Sequence, residues 1–271
     1  MGRNTVAFGD YSTAMGANTV ASGVVSNAMG VNTTAKSFAE VTIGSFNSNY
    51  TPVSADAWVA SDRLFGIGNG IAGANKDAMV VLKNGNVGIG ASTPNALLQL
   101  GNSIANRKIV LYDVNNNDHQ YFGLGINGAM LRYQIDDVAS QYGFYAGTGA
   151  GSSNWVFAMH GNGNAFCSGT LTELSDVRLK KNIEPLSASL DKLIQLNGYS
   201  YNWISEYKDP RQQIGLLAQE VQQLYPQLVT EIKGDNNESN LGINYIGLIP
   251  VLIESIKTLQ KEVEELKKKI Q

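Results

Sequence analysis

The sequence predicts a mainly β chain with a helical C-terminal end, and three observations carry that expectation. Small triplets ending in Gly recur every seven residues through positions 4–44. Two distant segments each run apolar strand, Asn-Gly-Asn turn, short return strand. Composition then steps near 170–176: residues 175–271 hold 12 of the 20 Lys and Arg and 13 of the 23 Asp and Glu, but only 5 of the 29 Gly. Gly and small polar residues favour turns, whereas charged, Gly-poor stretches favour helices. The step therefore separates a β-structured part from a helical one.

Composition also excludes several classes. A net charge of −3 and a pI near 5.4 leave no footprint for nucleic acid or an anionic membrane surface. The lone Cys167 cannot form an internal disulfide, and with 2 His the chain is poor in zinc ligands, so neither metal nor cofactor is expected. No apolar run approaches the roughly 20 residues of a membrane span, so no membrane insertion is expected. The repeats begin at the first residues, and the chain reads as the end of a longer protein.

Residues 1–46 form the repeat domain. Ala7-Phe8-Gly9, Ala14-Met15-Gly16, Ala21-Ser22-Gly23 and Ala28-Met29-Gly30 keep a seven-residue phase, continued by Ala35-Lys36-Ser37 and Thr42-Ile43-Gly44. Short strand, tight turn, short strand is how a β-solenoid is built, each rung covering its neighbours. The repeat resembles the head repeats of trimeric autotransporter adhesins, a parallel β-roll whose three chains pack side by side.

Residues 47–170 read as strands and turns. Ala78–Leu82 runs into Asn84-Gly85-Asn86 and back through Val87, and Trp155–Met159 runs into Asn162-Gly163-Asn164 and back through Phe166. Both are hairpin signals. The phrase NGNVGIG resembles modules of phage tail fibres and bacterial surface proteins. An insert, 95–155, carries Tyr112, His119, Tyr121, Phe122, Tyr133, Tyr142, Phe144, Tyr145 and Trp155. Loop aromatics suit sugar rings or protein epitopes, so the insert is where a host-surface glycan or protein receptor would be read. The same residues also serve as strand core, with Phe122, Leu124 and Ile126 alternating as a half-buried strand should.

Three patterns are set aside. Gly68-Asn69-Gly70-Ile71-Ala72-Gly73 fits a dinucleotide fingerprint, but a strand rather than a helix follows. Ser189-Leu190-Asp191-Lys192 fits the SxxK of penicillin-binding enzymes without its companion motifs; Ser187 or Ser189 is expected to cap a helix continued by Leu190, Leu193, Ile194 and Leu196. Asp113, Asp118, Asp136 and Asp137 could serve a glycan-degrading spike, but nothing in their spacing fixes a carboxylate pair.

Residues 171–271 open on Leu174-Ser175-Asp176-Val177-Arg178-Leu179-Lys180-Lys181-Asn182-Ile183. A serine five residues before a lysine is, alone, an exposed charged linker. Four ordered phrases change that reading: SDVRLKKNIEPL (175–186), LNGYSYNW (196–203), GLLAQEVQQLYPQLV (215–229) and LGINYIGLIPVLIESIKTLQKEVEEL (241–266). Together they resemble the peptidase S74 family, the intramolecular chaperone and auto-processing domain of phage endosialidases and tail fibres. The resemblance implies a domain that helps its own fibre trimerise and then cuts the chain between Leu174 and Ser175. It assigns Ser175 as nucleophile and Lys180 as general base. Many members carry a His where Gln213 stands here, so a third catalytic group is in doubt.

The chemistry fits that assignment. A serine hydroxyl needs a base to take its proton, and a neutral lysine amine can do so. At its ordinary pKa of about 10.4 the lysine is protonated at neutral pH. Flanking cations, here Arg178 and Lys181, and burial in an assembled oligomer would lower it, so assembly would gate cutting.

The helix expected over 246–271 carries a heptad seam of Ile249, Leu252, Ile256, Leu259, Val263, Leu266 and Ile270. Ile at a with Leu at d leans towards two strands, whereas the repeat and the family resemblance both imply three. The resulting expectation is an elongated homotrimeric fibre: β-roll repeats, a β-hairpin or β-prism-like stalk and knob, and an α+β chaperone domain ending in a coiled-coil helix. Its partners would be its own copies and a host receptor. Its place would be the tail fibre of a virion or phage-like particle, or alternatively a bacterial surface; the alternative function is an uncleaved trimeric adhesin or receptor-binding fibre whose C-terminal domain is only a trimerisation cap.

Overall fold

The computed structural model describes residues 2–233 and 238–270. The chain divides into two compact units, Met1–Gln134 and Ile135–Gln271. The mainly β architecture, the stacked repeats and the C-terminal helix expected from the sequence are all present.

In the first unit, strands Gly2–Arg3, Thr13–Ala17, Asn27–Val31 and Val41–Ser45 stack in parallel with a 14-residue offset, Gly2 opposite Gly16 and Gly16 opposite Gly30. Short strands Val6–Ala7, Val20–Ala21 and Thr34–Ala35 form a second parallel sheet with the same offset. One coil therefore uses two seven-residue repeats, one for each sheet. The period is also visible in the backbone: Asn4, Tyr11, Asn18, Val25, Asn32, Ala39 and Phe46, seven residues apart, all have positive φ between 43° and 61°. Asn holds alternate corners because it tolerates the left-handed region. At Tyr11, Val25 and Ala39 the stack itself enforces the conformation. Val25 N–H, for instance, donates to the Asp10 carbonyl of the preceding coil at 2.7 Å and Ala39 N–H to that of Val24 at 2.8 Å.

The coil interior is narrow. Ala14, Ala21, Ala28 and Ala35 are buried between the two sheets. Gly16 and Gly30 have φ of 114° and 122°, and a Cβ on either would collide with the carbonyl of the next coil.

The larger sheet does not stop at residue 46. Val41–Ser45 pairs in parallel with Arg63–Asn69, which pairs antiparallel with Asp77–Leu82, then Val87–Ile89, with Leu98–Leu100 at the edge. One column of this eight-stranded sheet, Ala14, Ala28, Thr42, Gly66, Val80 and Gly88, is buried. The adjacent outward column is apolar throughout: Met15, Met29, Ile43, Ile67, Met79, Ile89 and Leu100.

Where the roll joins the hairpin, charged groups are buried. Arg63 and Asp77 form an ion pair at 2.8 Å with side chains 3% and 1% exposed, and the Arg63 guanidinium lies 4.2 Å from the Tyr50 ring centroid. The Glu40 carboxylate accepts from Lys36 N–H, Ser37 N–H, Thr42 Oγ1 and Tyr50 OH at 2.7–3.1 Å. Burial, then the nearby Glu40 charge, push the Tyr50 phenol well above its ordinary range, and burial lowers the Lys83 amine.

Strands Ala105–Asp113, Tyr121–Asn127 and Met130–Gln134 form an antiparallel sheet. The alternation expected over Phe122, Leu124 and Ile126 is present, but those residues are only half-buried; the buried set is Tyr121, Gly123 and Gly125. The reason is close strand approach: a Cβ at Gly123 or Gly125 would strike the carbonyls of Ile109 or Asn106.

In the second unit, Gln141–Gly149, Ser152–His160 and Ala165–Cys167 form an antiparallel sheet. Helices α1 (Ser189–Leu193), α2 (Ala218–Leu224) and α3 (Leu248–Ile270) follow, with hairpins Tyr199–Tyr201/Gln213–Gly215 and Val229–Lys233/Ser239–Ile243 between them. Val221, Tyr225, Leu228, Leu248 and Val251 are its core, flanked by Leu193 and Leu196. The serine cap expected on α1 is not formed. Ala188, with φ 52°, precedes the helix without a side-chain cap, and Ser189 is buried within the first turn, its carbonyl accepting from Tyr225 OH at 3.1 Å.

Candidate functional site

Both Asn-Gly-Asn hairpins form with one geometry. Gly85 and Gly163 each have φ 91°, and the Asn84 and Asn162 side chains each accept from the N–H two residues on at 3.0 Å. The second hairpin ends in Ala165–Cys167, after which the chain carries no strand until a one-turn 3₁₀ helix, Val177–Leu179. Between them lie Leu174, 90% exposed, and Ser175.

That turn is built by its own residues. Asp176 is extended (φ −65°, ψ 132°), and its carboxylate accepts from Arg178 N–H at 2.9 Å, capping the helix. Lys180 N–H donates to the Val177 carbonyl at 3.1 Å, and Lys180 leaves extended (φ −116°, ψ 148°). Its side chain turns back, and Lys180 Nζ lies 2.6 Å from Ser175 Oγ as donor. The serine and lysine singled out by sequence are therefore in direct contact, both at the surface of this chain. A deprotonated amine at the same distance would accept the hydroxyl proton.

Arg178, one of the cations flanking Lys180, is engaged by Asp176. Its Nε lies 3.0 and 3.1 Å from the two carboxylate oxygens and its Nη2 2.6 Å from one. The Arg178 hydrogen bonds hold the Asp176 carboxyl below its ordinary range, and the guanidinium is raised in turn. Sequence reading missed this pair, although an acid and a guanidinium two residues apart across a turn is a recoverable signal.

The remaining phrases supply the domain body. Tyr199, in LNGYSYNW, donates to Glu220 on α2 at 2.6 Å. Gln213, where many family members carry His, sits in a strand and donates from Nε2 to the Arg211 carbonyl at 2.9 Å. Helix α3 turns Leu248, Val251 and Ser255 inward, while the seam residues point away: Ile249, Leu252, Ile256, Leu259, Val263, Leu266 and Ile270 are all exposed, Ile256 at 64%.

The set-aside patterns resolve structurally. Gly68 and Asn69 end a strand, and a tight turn at Ile71–Ala74 returns the chain into the next strand. Ser189 is buried and the Lys192 amine lies over the Tyr225 ring, 5.5 Å from its centroid. Asp113 is paired with Arg107, and Asp136 and Asp137 accept within their own turn from Ser140 Oγ and Ala139 N–H. Among the described residues no cluster of three or more His, Cys, Asp or Glu could hold a metal, and no helix is long and apolar enough to cross a membrane.

Comparison with known proteins supports the resemblance read from the four phrases. Residues 175–230 match the family model of Peptidase S74, the chaperone of endosialidase. The long tail fiber protein of Enterobacteria phage K3 is 34% identical over 99 residues, 35% of this chain and 8% of that protein. Its counterpart in Salmonella phage S16 is 28% identical over 149 residues, 53% of this chain and 19% of that protein. The chain thus spans less than a fifth of the length of these relatives. A solved structure, the carboxy-terminal domain of the bacteriophage T5 L-shaped tail fiber with its intra-molecular chaperone domain, aligns over 81% of this chain and 96% of that one at 9% identity, with a TM-score of 0.28.

Proposed function

We propose that this chain is the distal part of a phage tail fibre, resident in the virion tail. In this reading its C-terminal domain brings three copies together and then cuts each chain once, between Leu174 and Ser175. The observation that carries the proposal is the 2.6 Å contact between Lys180 Nζ and Ser175 Oγ, inside the segment matching the chaperone-of-endosialidase family. The relatives named as long tail fiber proteins support the setting.

With Lys180 neutral, its amine takes the Ser175 hydroxyl proton as Oγ bonds to the Leu174 carbonyl carbon. The Leu174–Ser175 C–N bond breaks, the proton passes to the Ser175 amine, and Leu174 is left as an ester on Oγ. Water then hydrolyses the ester, releasing the Leu174 carboxylate and restoring the hydroxyl. Leu174 is 90% exposed.

An exposed lysine is protonated at neutral pH. Burial of Lys180 between assembled copies supplies the desolvation that frees its lone pair, which makes cutting depend on assembly. The exposed seam of α3 and the outward apolar column of the eight-stranded sheet are faces that three copies would cover. The exposed aromatics of 95–155, Tyr112 and Tyr133 in the first unit and Phe144, Tyr145 and Trp155 in the second, are proposed as the side chains that read a host glycan or protein.

Ser175→Ala and Lys180→Ala are expected to give full-length trimers by native mass spectrometry. Ile256→Asp, which puts a charge in the seam, is expected to give whole monomers. A monomeric Ile256→Asp chain that still cuts would refute the gate.

A further inference from the structure

We infer that Arg178 is a positioning residue that occupies the Asp176 carboxylate and so prevents it from forming an ion pair with Lys180. The inference rests on the Ser175–Lys180 reading and adds to it a reason why an acid can stand between nucleophile and base. Asp176 is the carboxylate next to the nucleophile and four residues before the lysine. Left free, it would be the natural partner of the Lys180 ammonium, and a lysine so paired is held protonated and cannot act as a base.

The turn resolves the conflict. Arg178 approaches the carboxylate edge-on and uses Nε and Nη2 on its two oxygens, while Arg178 N–H uses one of them again. Acceptor capacity and charge of the carboxylate are thus met from one residue, in the fork geometry that a lysine ammonium cannot match. Lys180 is left with the Ser175 hydroxyl as its polar partner among the described residues. The charged residues nearest Lys180 along the chain are Asp176, Arg178, Lys181 and, before the serine, Glu173. Asp176 keeps a second role, since its cap on Arg178 N–H shapes the turn that returns Lys180 to the serine.

Charge and cap can be separated by substitution. Arg178→Gln frees the carboxylate for Lys180. Asp176→Asn keeps an oxygen for the cap and removes the charge. The double variant removes both charges and keeps the cap. The full chain is unfolded in denaturant, diluted into buffers from acid to alkaline pH, and the uncut fraction followed by mass with time. Arg178→Gln is expected to move the rise of cutting with pH towards the alkaline side and to slow cutting at neutral pH by on the order of tenfold. Adding Asp176→Asn is expected to return the profile to that of wild type.

A wild-type profile for Arg178→Gln, or a double variant no better than Arg178→Gln alone, overturns the inference. Failure of the underlying dyad reads differently: there the wild type stays whole, or Ser175→Ala is cut. The charge test needs no cutting. In the Ser175→Ala chain labelled at lysine ¹³Cε, the Lys180 titration is expected to move up with Arg178→Gln and back with Asp176→Asn added. An unmoved titration overturns the inference whether or not the wild type cuts.

Discussion

Ser175 and Lys180 meet because one capped turn lies between them, and the lysine chemistry then sets a strict requirement. Lys180→Arg keeps a cation and a donor at that place but cannot lose its proton near neutrality. Cutting in that variant is expected to fall by about two orders of magnitude or more, measured as the rate of chain splitting after refolding. A rate within a few-fold of wild type would remove Lys180 as base. Tyr50 gives a second residue-scale prediction. Its folded-state pKa is raised by burial and by Glu40, so below its ordinary value of about 10 it costs no stability. Above that pH the unfolded chain sheds the phenolic proton while the folded chain retains it, and stability falls as pH rises. Thermal melts of wild type are expected to drop above about pH 10, and Tyr50→Phe to flatten that drop. The Ser175–Lys180 contact was legible in the sequence because it is local. The Glu40, Tyr50, Arg63 and Asp77 cluster was not, because its members lie 10 and 14 residues apart along the chain with no periodic mark.

At the scale of elements, repetition was the readable quantity. The seven-residue phase announced the roll, and the structure adds that two phases make one coil, since alternate repeats go to opposite sheets. A one-dimensional period cannot tell a whole turn from half of one when both faces carry similar small residues. Gly30 is where that geometry is most exacting, with positive φ and no room for a Cβ against Gly44. Gly30→Ala is expected to destabilise the first unit by more than about 1 kcal/mol, read as a lower denaturant midpoint, whereas Gly73→Ala, which meets no neighbour within 4 Å, would bear only its backbone strain. A larger loss at Gly73 would contradict the stacking account. The hairpins were legible because Asn-Gly dictates its own turn. The buried face of Tyr121–Asn127 was not, since glycine can mark a buried column only once the partner strand is known.

At the scale of the whole molecule, apolar side chains stand open along the seam of α3, and the outward column from Met15 to Leu100 is exposed at Met15, Met29 and Ile89 and half-buried at Ile43, Ile67, Met79 and Leu100. Exposed apolar surface of this kind suits the proposed assembly of copies. The seam follows a heptad, which suits the proposed pairing with identical copies in register. The seam was fully legible as a pattern. The column was not, because it links Ile43 to Ile67, Met79 and Ile89 across loops whose lengths no period sets.

The proposed single cut between Leu174 and Ser175 is read by intact mass. Wild-type chain and Ser175→Ala are refolded side by side and weighed. The account predicts that wild type splits between Leu174 and Ser175 into residues 1–174 and 175–271, while Ser175→Ala remains whole. Two whole chains, or a cut at any other bond, would contradict it.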